Sequence, residues 1–257
     1  MSGDARHTDA SLSVVFAPLD DHGRAGLVER RLTDAIISGV LRDGERLPSE
    51  ASMATSLGVA LVTAREALEA LRSQGLVVTR RGRDGGSFVT CTTDSAARWA
   101  QRRLLESSRI DLRDLALHVS AILGTAAEVA ADRATDDDLD VLLSIHEGAD
   151  LRTAGGARRA LGWFQLELAA VSQSPRLVRE EMRLQSEAAP LLWMCLREDA
   201  HRARSAESRE EVLAALRRGD PQAARSAVTS FVQESLDWLV AERMRVRNAQ
   251  PADEEAS

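Results

Sequence analysis

The chain has no lysine; all 33 of its basic side chains are arginine. It has no tyrosine either, and aromatic residues make up 3% of the sequence, an unusually small share. The arginine bias fits a GC-rich coding sequence better than a selection for guanidinium chemistry. Only two cysteines occur, Cys91 and Cys195, which excludes a disulfide framework and a CxxC metal pair. No apolar run approaches the length of a membrane span, and the N-terminus lacks a charged segment followed by an apolar one. Also missing are a Gly-rich phosphate loop, a Ser/His/Asp set and paired carboxylates in a recognisable catalytic frame. These absences predict a soluble, cytoplasmic, non-enzymatic protein with reduced thiols and no cofactor.

What is present favours helix. Ala, Leu, Arg and Glu dominate, and 44% of the 257 residues are hydrophobic, enough for one large domain or two ordinary ones. The net charge of −7 is unevenly spread. Residues 1–23 carry −3, residues 24–90 carry +2 and residues 91–257 carry −6. Only the middle segment is positive, as expected for a nucleic-acid-binding head on an acidic body.

Read in order, residues 1–22 are polar and acidic and predict a disordered arm. Leu27, Leu32, Ile36 and Ile37 form one apolar stripe on a helix that starts near Gly26 and closes at Gly39. Ser49 is the expected N-cap of a helix over 50–56. Gly58 breaks it, and a second helix follows over 61–73. There Ala64, Leu68 and Leu71 face inward, with Val62, Thr63, Arg65 and Glu66 on or near the other face. Strands at 76–79 and 87–90 flank the tip RRGRDGG. Two helices, a tight turn and a basic wing over 23–91 make a winged helix-turn-helix, a DNA-reading device. The alternative is the same pair of hairpins with no ligand.

From Thr92 to 247 the pattern is helical, with segments at 94–106, 111–133, 136–151, 157–172, 175–196, 200–218 and 221–246. Breaks are expected at Asp136–Asp138, Gly155-Gly156, Pro175 and Gly219-Asp220-Pro221. Short connections between long helices predict an antiparallel bundle, followed by an acidic tail over 248–257. The fold class is therefore mainly α. The runs Asp136–Asp138 and Glu180-Glu181 read as solvated helix starts and faces.

The motifs Leu47-Pro48-Ser49-Glu50, Leu57-Gly58-Val59, Arg65-Glu66-Ala67-Leu68, Gly75-Leu76-Val77 and Gly86-Ser87-Phe88-Val89, with Gly39 and Gly44, span the whole head. On them the head resembles the GntR family of bacterial transcription regulators. The body resembles the FCD ligand-binding domain of the FadR-like branch. Its markers are Ala131-Asp132-Arg133-Ala134-Thr135, the segment 164–177, and Gly219-Asp220 followed by Ala224. The resemblance implies a homodimer on a short palindrome of double-stranded DNA, with recognition helices in successive major grooves. Arg65 matches the family's recognition-helix arginine, and Thr63 a polar contact position; Ser49 and Val62 belong to the same DNA-binding set. Arg80, Arg81 and Arg83 on the wing can reach phosphate, with Gly82 and Gly85 allowing close approach. The other reading of Arg65 is an ion pair with Glu66 or Glu69. Two family arginines are replaced, by Ala51 and Leu61, so the half-site should differ from the commoner consensus.

Many FCD domains hold a divalent metal on one Asp and three His. At the matching positions this chain has Leu161, Gln165, Arg209 and Phe231, which predicts no metal. The five histidines, His7, His22, His118, His146 and His201, share no helical ligand spacing. The inner surface is then lined by Val119, Leu123, Leu161 and Phe231, with Gln165 and Arg209 as its polar groups. Arg209 suits a carboxylate or phosphate. The resemblance thus implies a ligand-responsive repressor with an amphipathic acidic effector, a fatty acid or acyl thioester as first choice. The fatty-acid regulator of the branch likewise uses no metal. Alternatives are that these residues simply fill a core while Arg209 faces solvent, a helical enzyme fused to a DNA-binding head, and an interaction scaffold with weakened DNA binding.

Overall fold

The computed structural model describes residues 24–37, 41–82, 85–90 and 93–249. Contacts divide the chain into two compact units, Met1–Trp99 and Ala100–Ser257. The division falls inside a helix. The arm, Gly39, Arg83, Cys91, His7, His22 and most of the acidic tail lie outside the described residues.

Among the described residues the first unit holds α1 (Arg24–Ile37), α2 (Glu50–Leu57) and α3 (Leu61–Ser73), and the strands β1 (Val77–Arg80) and β2 (Gly86–Val89). Val28, Leu32, Ile36 and Ile37 of α1 meet Met53 and Leu57 of α2 and Leu68 and Leu71 of α3 in one core. Ser49 caps α2, its hydroxyl accepting from the Ser52 N–H at 3.1 Å. Gly58 ends that helix in the left-handed region at φ 66°, a conformation that costs a residue with a Cβ. The strands sit one residue from their expected positions: β1 starts at Val77 and ends at Arg80, and β2 begins at Gly86. Antiparallel pairing sets Val77 opposite Val89 and Arg80 opposite Gly86, so Arg80 belongs to the ladder and not to the tip. A bridge from Arg46 to Phe88 ties the segment before α2 to the wing.

Helix α4 (Thr93–Glu106) leads into the body, its Trp99 packed on the N-terminal core and its Leu104 fully buried. The body continues with α5 (Arg109–Arg133), α6 (Asp136–Glu147), α7 (Ala154–Val171), α8 (Pro175–Glu187), α9 (Ala189–Leu192), a 3-10 turn at Trp193–Arg197, α10 (Asp199–Arg217) and α11 (Pro221–Ala249). The central α5 packs on α7, α8, α10 and, most extensively, α11. It is long and apolar enough to cross a membrane, where the sequence predicted no such stretch; Leu112, Val119 and Leu123 are buried within the body, whereas Ile110 and Leu117 are exposed. Gly124 brings α11 close, since a Cβ there would stand 3.1 Å from Thr229 Cγ2.

Three expectations for the body are corrected. The segment 175–196 is not one helix: Pro190 has no N–H to continue the ladder, and the chain restarts as α9 and a 3-10 turn. Gly155-Gly156 is not a break but the first turn of α7, capped by Thr153 Oγ1 on the Gly156 N–H at 3.0 Å. A Cβ on Gly156 would lie 2.2 Å from the Asp150 carbonyl oxygen, so the chain's close approach requires glycine. The break lies earlier, because α6 ends at Glu147 and not at 151. Asp136–Asp138 do open α6, where Asp138 completes a capping box with Thr135.

Candidate functional site

The outward face of α3 and the wing carry the residues expected at the DNA interface. Ala64, Ala67, Leu68 and Leu71 turn inward, which leaves Leu61, Val62, Arg65, Glu66 and Glu69 exposed. Thr63 is half-buried. Arg65 is held, but neither by Glu66 nor by Glu69: its Nε lies 3.1 Å from Glu50 Oε2 on α2. Glu50 thus aims the guanidinium from the neighbouring helix, while more than half of the Arg65 side chain stays open to solvent. Ser49 is occupied as the cap of α2. On the wing, the Arg80 guanidinium lies 4.6 Å over the Phe88 ring, and Arg81 is exposed. Gly82 takes φ 114°, and Gly85 donates to the Gly82 carbonyl at 3.0 Å. A Cβ on Gly85 would stand 2.6 Å from the Arg80 carbonyl, so the tip needs its glycine.

Sequence reasoning passed over Arg46. Its Nη2 donates to the Gly85 carbonyl at 2.7 Å, and a Cβ on Gly86 would meet its Nε at 3.0 Å. Arg46 therefore fixes the wing against the chain leading into α2. Together with Ser49, Glu50, Arg72 and Thr79 it lines an open groove of about 640 Å³. No spacing rule flags it, because the pair is 39 residues apart.

In the body, Val119, Leu123, Leu161, Gln165, Arg209 and Phe231 are all buried. Phe231 stacks on Trp193 with ring centroids 5.6 Å apart. Arg209 is only 1% exposed. Its Nη1 donates to Ser205 Oγ at 3.2 Å, and its Nε and Nη2 have no hydrogen-bond partner. Burial pushes its pKa down to about 10, so the group still carries its charge at neutral pH. A buried cation with two idle donors is costly in itself and suited to an anion.

A second buried group was not expected. Glu181, read from sequence as part of a solvated face, is 1% exposed. It shares the inward stripe of α8 with Leu184, Gln185 and Ala188, at helical spacings of three, four and seven. Gln185 Nε2 donates to Glu181 Oε1 at 2.5 Å and to Gln165 Oε1 at 3.2 Å, while Glu181 Oε2 has no partner. Burial pushes the Glu181 carboxyl up to about 8, so it is protonated at neutral pH. Neighbouring Glu180 does face outward, 3.1 Å from His118. His146 and His201 lie elsewhere, beside Glu210 and Glu198. Among the described residues no three His, Cys, Asp or Glu side chains converge as a metal site. Cys195 is buried against Ser235, and burial raises its thiol to about 11.

Comparison with known families matches residues 25–89 to the bacterial regulatory proteins of the gntR family, and residues 114–234 to the FCD domain. The chain belongs to the GntR family. It is a transcription regulator and not an enzyme. An HTH-type transcriptional regulator of Mycobacterium gastri, RmpR, is 32% identical over 246 residues, covering 93% of this chain and 88% of the relative. The Glc operon transcriptional activator of Escherichia coli is 34% identical over 122 residues, 47% of each chain. The solved structure of E. coli McbR/YncC covers 86% of this chain and 99% of its own at 20% identity, with a TM-score of 0.47. The GntR match encloses Ser49, Val62, Thr63, Arg65 and the wing from Arg80 to Gly85. The FCD match encloses all six residues of the candidate effector set.

Proposed function

We propose that this GntR regulator is a repressor that binds a short palindromic operator as a homodimer and responds to an anionic, amphipathic effector held without a metal in its FCD body. Arg65 on α3 contacts base or phosphate, with Thr63 and Val62 beside it. Arg80, Arg81 and Arg83 bind phosphates at the wing. Effector binding shifts the bundle and changes the spacing of the two heads, so the palindrome no longer matches both at once. It acts in the cytoplasm, where the operator is.

Arg209 carries the effector reading. A guanidinium buried with two free donors is the group an acidic ligand needs. Val119, Leu123, Leu161 and Phe231 supply the apolar wall, and Gln165 a neutral polar contact. A fatty acid or an acyl thioester meets both demands. One observation favours a smaller acid: a 29%-identical relative from E. coli is named for the L-lactate dehydrogenase operon.

Thermal melts against fatty acids, acyl thioesters and short 2-hydroxy acids test the effector, and no shift with any acid refutes it. A gel shift with the intergenic DNA upstream of the gene tests the reader, and sedimentation tests the dimer. A reporter behind that DNA distinguishes repression from activation, the role for which the Glc operon relative is named.

A further inference from the structure

The large hydrophobic side chains left exposed among the described residues of the first unit are Leu61, Val62 and Val78, at 46%, 58% and 38%. Two of the three are adjacent and open the first turn of α3, the recognition helix. The rest of that helix hides its apolar residues well: Ala64, Ala67, Leu68 and Leu71 are all 1% exposed or less. Ala60, the N-cap, contributes no side-chain hydrogen bond to the turn. Arg65 stands four residues after Leu61 and three after Val62, on the same side of the helix.

A major groove offers a leucine or valine only one apolar partner, the C5 methyl of thymine. Guanine, adenine and cytosine edges present donors and acceptors that an aliphatic side chain would strip of water and leave unpaired. Arg65 on the same helix side, and Arg80 and Arg81 exposed on the wing of the same unit, favour a polyanion as the partner of this turn. We propose that Leu61 and Val62 read thymine methyl groups in each half-site, and that Arg65, aimed by Glu50, reads a position displaced along the groove. The rise from Leu61 to Arg65 is about 6 Å, or roughly two base-pair steps. This inference rests on the DNA-reading function proposed above and names what part of that reader recognises.

The full chain is used to select bound duplexes from a random pool, and each thymine of the selected site is then replaced singly by deoxyuridine, which removes only the methyl group. Affinities are measured by fluorescence anisotropy at one fixed salt concentration. Burying one methyl is worth about 0.8 kcal/mol, so deoxyuridine weakens binding about fourfold at one or two positions per half-site. In the double variant Leu61→Ala/Val62→Ala that difference disappears, and the thymine and deoxyuridine duplexes bind alike. Both side chains lie off the packed face of α3, and circular dichroism confirms that the variant folds. Equal affinity for thymine and deoxyuridine at every position overturns the inference. So does a penalty that persists in the double alanine variant. Failure to select any duplex, even at low salt, overturns the DNA reading itself and this inference with it.

Discussion

Replacing Arg209 with methionine should make the ligand-free protein more stable and deaf to its effector. The guanidinium is 1% exposed, with one hydrogen bond, to Ser205, and two nitrogens without partners. Burial pushes its pKa down to about 10, a fall from the ordinary arginine range that corresponds to roughly 3 kcal/mol against the charged form. Methionine keeps a flexible apolar stem in the same space, removes that penalty, and forfeits one hydrogen bond worth about 1.5–3 kcal/mol because its donor is charged. The balance lies between neutral and about 1.5 kcal/mol in favour of the variant. Each kcal/mol moves the melting temperature of a domain of this size by about 2–4 °C. Differential scanning calorimetry of wild type and Arg209→Met, each with and without the acid that shifts the wild type, reads both effects. A variant that melts several degrees lower would refute the reasoning, because it would make Arg209 a tie within the core and not a charge held for a ligand. A variant that still responds to the acid would refute the ligand assignment alone.

Glu181 sets a pH dependence. Its folded pKa of about 8 lies above that of an exposed glutamate, so the native state holds a proton that the unfolded chain has lost. Stability from this group is complete below the unfolded pKa and declines as pH rises towards 8, by up to about 1.4 kcal/mol per pH unit. Glu181→Gln keeps an acceptor for Gln185 and removes the ionisation, so urea unfolding between pH 5 and 8, taken as about the working window, should show a flatter profile; parallel profiles would contradict the burial of a protonated acid. Arg81→Ala, on the wing, should reduce the slope of log affinity against log salt by about 0.9 without changing the preferred sequence. Arg65→Ala should lose about 1–3 kcal/mol of discrimination between operator and mismatched duplexes, and equal losses on both would make Arg65 a phosphate contact. Gly156→Ala places a Cβ 2.2 Å from the Asp150 carbonyl oxygen and should cost roughly 1–3 kcal/mol in a melt of the body, whereas Gly26→Ala, with open space around it, should cost nothing.

Local chemistry made much of this molecule legible. Helix α3 runs from Leu61 to Ser73 as its periodicity and flanking glycines predict, because caps and apolar stripes act over a few residues. Ser49 caps α2, and Val119, Leu123, Leu161, Gln165 and Phe231, like Arg209, are buried. What escaped depends on residues far apart in the chain. Nothing in the run of sequence near Arg65 says that Glu50, 15 residues away, will hold it. Arg46 meets the wing only once α2 and the strands have folded. A Glu-Glu pair suggests solvent for Glu181, although Leu184 and Ala188 place position 181 on the covered stripe. Gly155-Gly156 reads as a stop in sequence because glycine breaks isolated helices. Here Thr153 caps the turn, and the nearby Asp150 backbone leaves no room for a larger residue.

The absence of tyrosine gives the stacked pair Trp193–Phe231 a use beyond packing. Near-ultraviolet light absorbed by this chain is emitted from indoles alone, and there are four of them, at positions 99, 163, 193 and 238. Trp193 is buried face to face with a ring in the candidate effector set, and Trp238 is pinned by Glu198 and covered by Arg197. An acid that settles against Phe231 must therefore alter the surroundings of Trp193 directly. With the effector against Phe231, as proposed, Trp193 is an optical probe built into the chain, and binding can be followed in the unlabelled regulator.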